Sequence, residues 1–214
     1  NILSTVFLSG CNFRCPYCHN PNLVSSGPSN FSEEEVFGHL KMRIGLIDGV
    51  CVSGGEPTIN PELVEFLKKI KSLGLLVKLD TNGSNPDMLR KILDEKLVDY
   101  IAMDVKAAFD KYSEACGVSI DMGRISKSIA MIKGSNIEHE FRTTMVPRFV
   151  SKDDFEKVCR SLKGAHRFYI QQFDNRNEMV DENMKKEKLY PPKKMEDFLR
   201  LAEPYFDICG LRNI

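Results

Sequence analysis

Apolar residues along this chain fall into two kinds of segment, and their alternation predicts the architecture. Residues 2–8 (ILSTVFL) are a largely apolar run of strand length that leads into a cysteine-rich loop. Ser32 with Glu35 is a capping-box pair, and Val36, Leu40 and Ile44 continue a helical stripe behind it. Residues 50–52 (VCV) predict a second strand, followed by Gly54-Gly55-Glu56-Pro57. Asn60-Pro61 offers the next helix start, with Leu63, Phe66, Leu67 and Ile70 at helix spacing.

The same unit then recurs. Strands are predicted at 75–79, 100–105, 141–146 and 168–173. Helices are predicted after Asn85-Pro86, through Ile125, Ile129 and Ile132 up to Gly134, and after Ser151. Six strands separated by amphipathic helices imply an α/β fold of parallel strands with right-handed crossovers, an open, partial (β/α)6 barrel. The barrel core spans about 2–173. An extension over 174–214 is polar up to Pro192, then carries a helix near 195–201 and a short strand near 206–209. With 214 residues, the whole of 1–214 is expected to be one domain.

Composition narrows the function classes. At 42% hydrophobic and 28% charged residues the chain is neither disordered nor fibrous. No apolar stretch approaches the roughly 20 residues of a membrane helix, so no membrane partner is expected. Thirty basic residues balance thirty acidic ones, which disfavours a nucleic-acid binder. The five lysines between 185 and 194 read as a solvated surface. Seven cysteines cannot pair completely, which suits a reducing, cytoplasmic compartment better than secretion. No signal peptide is seen. The chain opens at Asn1 inside an apolar run without an initiator methionine, so N-terminal residues are expected to be missing.

In parallel α/β sheets the chemistry lies at the carboxyl ends of the strands. Polar clusters fall there repeatedly: Cys11–Cys18, Gly54–Pro57, Asp80 with Asn82, and Asp104 with Lys106. This points to one composite site. Cys11, Cys15 and Cys18 have the spacing CxxxCxxC, and three thiolates on one loop can reach three corners of an iron–sulfur cubane, leaving one iron open. A zinc site completed by His19, or merely buried cysteines, are the alternatives. Cys51, Cys116, Cys159 and Cys209 are scattered and read as small core residues.

CxxxCxxC after a first strand, with Gly54-Gly55-Glu56-Pro57 after a second, resembles the radical S-adenosylmethionine enzymes over residues 2–173. The wider string from Cys11 through Arg14 and Tyr17 to Pro21 resembles the glycyl-radical-enzyme activases. The Ile170–Phe173 segment (IQQF) resembles the anaerobic ribonucleoside-triphosphate reductase activating proteins. The resemblance implies a 4Fe-4S cluster held by Cys11, Cys15 and Cys18, with S-adenosylmethionine on the open iron. Reductive cleavage of that cofactor gives methionine and a 5′-deoxyadenosyl radical. Tyr17 would lie against the adenine, and Gly54, Gly55 and Glu56 would receive the amino group. Asp80, Asn82, Asp104, Lys106 and Arg142 would face the cofactor, the aspartates holding a monovalent cation beside its carboxylate. Gln171-Gln172-Phe173-Asp174 departs from the pyruvate formate-lyase-type activases, which carry a histidine after the sixth strand.

The implied activity is that of a radical S-adenosylmethionine oxidoreductase, an anaerobic activase. It would take an α-hydrogen from a glycine of a partner glycyl-radical enzyme, foremost the anaerobic ribonucleoside-triphosphate reductase, using an electron donor such as flavodoxin or ferredoxin. The alternative is an enzyme of the same superfamily acting on a small molecule or tRNA. An iron–sulfur electron carrier would leave Glu56, Asp80, Asp104, Lys106 and Arg142 without a purpose. The short extension after Phe173 is expected to leave the barrel mouth broad, which suits a macromolecular loop better than a small molecule.

Overall fold

The computed structural model describes residues 1–25, 27 and 30–213. Seven strands form one parallel sheet: β1 (Leu3–Leu8), β2 (Gly49–Gly54), β3 (Leu76–Thr81), β4 (Tyr100–Asp104), β5 (Glu138–Met145), β6 (Arg167–Gln172) and β7 (Ile208–Arg212). They lie side by side in chain order. The helices are α1 (Pro21–Val24), α2 (Glu33–Met42), α3 (Leu63–Ser72), α4 (Pro86–Asp94), α5 (Tyr112–Cys116), α6 (Met122–Gly134), α7 (Lys152–Leu162) and α8 (Pro192–Ala202). Because the strand order never reverses, right-handed crossovers put the connecting helices on one face, while the short α1 and α5 lie against the cysteine loop. The other face lines a trough, open between β1 and β7 because those edge strands do not pair. The sheet is the expected parallel α/β type. It has seven strands where six β/α units were expected, because the terminal strand runs Ile208–Arg212 and joins β6.

Period-two alternation decides which side chains reach the trough. On β3, Val77 and Leu79 are buried toward the helices while Lys78 and Asp80 are only partly covered on the opposite face. On β5, Phe141, Thr143 and Met145 are buried and alternate with Arg142 and Thr144. The helix-facing core is aromatic toward the C-terminus: Phe155 meets Phe198 at 5.1 Å and Phe168 stacks on Phe206 at 4.7 Å. These contacts fix α7, α8 and the last two strands to one another.

Local signals set the helix starts. The Ser32–Glu35 capping box opens α2, and Asn85 accepts from Met88 N at the head of α4. Asn60 does not cap α3, which begins at Leu63; its Oδ1 accepts from Glu62 N at 2.9 Å, closing a turn before the helix. The short helices α1 and α5 were not legible as periodic segments.

The extension after β6 packs back against the barrel. Residues 174–190 fold back on the cysteine loop, where Val180 N donates to Cys18 O at 3.2 Å and Asp181 N to Pro16 O at 3.0 Å. Met179 and Met184 are buried beneath that segment. Two apolar anchors in a polar stretch are enough to hold it down.

The best-tied helix start is that of α7. Asp154 is 4% exposed; it accepts from Ser151 N at 3.0 Å, from Ser151 Oγ at 2.5 Å and from Lys111 Nζ at 2.8 Å. Asp154→Ala removes the cap and leaves those donors unmatched, and is expected to cost about 2 kcal/mol in urea unfolding. A loss within experimental error of zero would contradict this role.

Candidate active site

At the carboxyl ends of the strands lies a cavity of about 300 Å³. Every residue singled out from the sequence lines it: Cys11, Cys15, Tyr17 and Cys18 from the loop after β1, Gly54, Gly55 and Glu56 after β2, and Asp80, Asn82, Asp104, Lys106 and Arg142 from β3, β4 and β5. Ser53, Gln171 and Gln172 also line it and were not singled out as site residues.

The cysteine loop is held by its own backbone and by distant segments. Cys18 N donates to Cys15 O at 3.0 Å, and Arg14 N to Cys116 O at 2.8 Å. The Arg14 guanidinium caps the Cys11 and Phe13 carbonyls at 2.5 and 2.8 Å. Burial pushes the Cys11 thiol up to about 11 and raises Cys18 as well. Cys15 is drawn down to about 7, chiefly by the neighbouring Cys116 thiol. Cys116 is fully buried, as expected of a core residue, but its contact is with the loop thiol itself. Sequence separation hid this. Among the described residues no three His, Cys, Asp or Glu side chains converge closely enough to hold a single metal ion. His19 also lines the cavity, but it stacks on Phe173 and its Nε2 lies 2.5 Å from the Asp174 carbonyl oxygen. Three separated thiols suit the corners of a cluster better than one zinc ion.

Across the cavity floor runs a row of paired charges. Arg142 Nε donates to Asp104 Oδ1 at 2.7 Å and its Nη1 to Asp80 Oδ2 at 3.3 Å, so one guanidinium spans β3, β4 and β5. Lys106 Nζ holds the other Asp104 oxygen at 2.8 Å. Lys78 Nζ holds Asp80 Oδ1, and Ser53 Oγ reaches Asp80 Oδ2 at 3.3 Å. Glu140, 3% exposed, takes both Arg212 nitrogens at 2.7 and 2.8 Å and the Tyr100 hydroxyl at 2.8 Å. Burial alone would push Asp104 up, but Arg142 and Lys106 hold it well below the carboxylate range. Lys106 and Arg142 are raised in turn, because Asp104 outweighs their burial. Lys78, Glu140 and Arg212 were missed in the sequence, although their strands place them on the same inner face.

Glu56 is 1% exposed and its carboxylate is spent on the protein. Oε1 accepts from Thr58 N at 3.0 Å, from the Thr58 hydroxyl and from Thr81 Oγ1 at 2.7 Å; Oε2 accepts from Asn82 N at 2.6 Å. Burial raises its pKa, opposed by those four donors. These four bonds make Glu56 a clamp that joins the turns after β2 and β3. Asn82 extends the clamp: its Nδ2 donates to Asn12 Oδ1 of the cysteine loop at 3.1 Å. Gly55 lets the turn pass the loop, since a Cβ there would lie 2.0 Å from Gly10 O. Tyr17 is packed 5.7 Å from Phe149, and among the described residues its buried hydroxyl has no partner; neither has Gln172 Oε1.

Gly117 closes α5 against this loop with φ 68°, and a Cβ there would stand 2.2 Å from Arg14 O. Gly117→Ala must therefore displace the cysteine loop as well as strain its own backbone. It is expected to cost ~2 kcal/mol in urea unfolding and to lower iron uptake on anaerobic reconstitution. Wild-type values for both would show that the loop does not depend on this contact.

The sequence profile of the radical SAM (S-adenosylmethionine) superfamily matches residues 5–162. A Methanocaldococcus jannaschii protein named "Putative glycyl-radical enzyme activating enzyme" is 33% identical over 216 residues, covering 99% of this chain and 89% of its own. The pyruvate formate-lyase-activating enzyme of Clostridium pasteurianum is 28% identical over 169 residues, covering 76% of this chain and 70% of its own. Among solved structures, Streptococcus suis SuiB bound to S-adenosylmethionine shares the fold with a TM-score of 0.76 at 14% identity, over 99% of this chain and 51% of SuiB. With the profile and a relative matching along the whole chain, the protein belongs to the radical SAM superfamily, on the branch of the glycyl-radical-enzyme activating enzymes.

Proposed function

We propose that this enzyme generates a glycyl radical on the anaerobic ribonucleoside-triphosphate reductase. The observation that carries the reading is the convergence of the three loop thiols and the paired charge row on one cavity. Cys11, Cys15 and Cys18 would hold a 4Fe-4S cluster. The residues fit that cluster and S-adenosylmethionine: the thiols are set apart on one loop, and two buried polar atoms, Tyr17 Oη and Gln172 Oε1, lack partners on the cavity wall. When bound, the cluster and cofactor supply one electron to the sulfonium and a 5′-deoxyadenosyl radical that takes a glycine α-hydrogen.

The chain's own part is to bind, orient and exclude water. Lys106 and Arg142 place positive charge where the cofactor carboxylate would be received. The turn at Gly54 and Gly55 brings backbone to the cavity without side chains in the way. Glu56 and Asn82 fix that turn to the cysteine loop, so cofactor and cluster sites move together. Asp80 and Asp104 hold Arg142 in place. Phe13, Tyr17 and Val24 form the apolar part of the wall, which limits water access to a reactive centre.

The Gln171–Gln172 pair at the end of β6 supports the reductase as partner, because it matches the reductase-activating pattern. Flavodoxin or ferredoxin would supply the electron. The seven free cysteines, with no helix among the described residues long and apolar enough to cross a membrane, support a reducing cytoplasm as its location.

Anaerobic reconstitution should load four irons and four sulfides. Changing Cys11, Cys15 or Cys18 to Ala should abolish loading, whereas Cys159→Ala should not, since Cys159 packs with α7. Iron loss in Cys159→Ala would overturn the ligand set. Incubation with the reductase, S-adenosylmethionine and a reductant should give a glycyl-radical signal by electron paramagnetic resonance. A signal on a different glycyl-radical enzyme alone would reassign the partner.

In the same assay, Arg142→Ala should retain the irons and slow S-adenosylmethionine cleavage by about tenfold or more, because it unpairs two partly buried carboxylates on the cavity wall. Cleavage at the wild-type rate would reduce Arg142 to a structural part.

A further inference from the structure

Asp80 and Asp104 are the carboxylates to which the resemblance assigns a monovalent cation, and their surroundings do not fit one. Asp80 Oδ1 is held by Lys78 Nζ, and Asp80 Oδ2 by Ser53 Oγ and Arg142 Nη1, both at 3.3 Å. Asp104 Oδ1 receives Arg142 Nε at 2.7 Å, and Oδ2 receives Lys106 Nζ at 2.8 Å. Each of the four oxygens already meets a protein donor. A hard cation needs several oxygens converging with no competing positive charge.

The charge count points the same way. Lys78, Arg142 and Lys106 are three cations around two carboxylates, leaving an excess of one positive charge. The adjoining Glu140 does not remove that excess. It lies 3.9 Å from Arg142, and Arg212 neutralises it with a two-nitrogen grip. An added metal cation would raise the excess to two. As built, the row already presents one net positive charge to an incoming carboxylate.

Lys78 is the member that makes this possible. It precedes Asp80 by two residues on β3, so both project from the inner face, with Lys78 one step deeper in the sheet. Its Nζ lies 3.8 Å from Cys51 Sγ of β2, and its side chain is 21% exposed. The stem is confined between neighbouring strands, so the ammonium is tethered beside Asp80.

We propose that the Lys78 ammonium takes the place of a monovalent cation in this enzyme, bracing Asp80 against Arg142 and making cofactor binding independent of potassium or sodium. This rests on the reading that the cavity takes S-adenosylmethionine. Lys78 is a positioning residue: it acts through Asp80 and Arg142.

The test is the dissociation constant of S-adenosylmethionine for the anaerobically reconstituted enzyme, measured by equilibrium dialysis. Potassium chloride is compared with tetramethylammonium chloride at equal ionic strength. The wild type is expected to bind equally in both. Lys78→Met should bind about tenfold more weakly in tetramethylammonium and regain most of that in potassium, as a small cation enters the vacated place. Lys78→Arg, which keeps the charge, should behave as the wild type. Circular dichroism melting monitors the fold, and Lys78→Gln replaces Lys78→Met if that variant does not fold. Wild-type affinity that collapses without potassium or sodium overturns the proposal. So does a neutral Lys78 variant that binds normally in tetramethylammonium, or one whose weak binding potassium does not restore. A wild type that binds no S-adenosylmethionine in either salt overturns the cofactor reading itself, and this proposal with it.

Discussion

A carboxylate on the inner face of a parallel sheet cannot stay charged without a partner, and Arg142 is the partner that two of them share. Its guanidinium reaches Asp80 on β3 and Asp104 on β4 from β5, so three neighbouring strand ends are tied by one side chain. Breaking a buried pair by removing one member typically costs about 3–5 kcal/mol, whereas the intact pair adds little stability. The row is therefore better understood as a device for specificity. It fixes where positive charge is presented at the mouth of the trough, and it is sustained by Lys78 below and Lys106 above.

The second constraint is mechanical. The cysteine loop has little secondary structure of its own, yet it is anchored from four directions: the turn after β3 through Asn12 and Asn82, α5 through Cys116, the residues at Leu23 and Val24, and the folded-back extension at Val180 and Asp181. Glu56 couples the turn after β2 to this assembly. A reactive centre built on such a loop gains preorganisation from anchors that the rest of the fold supplies.

The β/α rhythm was legible because its periodicities differ, two for strands and 3.6 for helices, and because caps such as Ser32, Asn85 and Ser151 announce helix starts. The cavity residues were legible as polar clusters that close each strand. What stayed hidden depends on contacts across the sheet. β5 was expected to begin at Phe141; the structure starts it at Glu138, and Glu140 becomes a buried acceptor. The alternation Lys78-x-Asp80 was present in the sequence, as was Glu140-x-Arg142-x-Thr144, and each could have marked an inner face. The meeting of Cys116 with Cys15 carries no local signal at all. Glu56 was legible as a cavity residue, but its bonds to Thr58, Thr81 and Asn82, which clamp the turns after β2 and β3, depend on tertiary placement.

The central claim is that this charged, thiol-lined cavity directs hydrogen abstraction to a protein glycine. The most direct measurement follows the atom. The proposed partner, the anaerobic reductase, is prepared with deuterium at its glycine α-carbons and incubated anaerobically with the reconstituted enzyme, unlabelled S-adenosylmethionine and a reductant. Mass spectrometry of the 5′-deoxyadenosine should show one deuterium, lost when the reacting glycine is changed to alanine. Unlabelled 5′-deoxyadenosine from the protein partner, with label arriving only from a deuterated nucleoside or tRNA, would contradict the account.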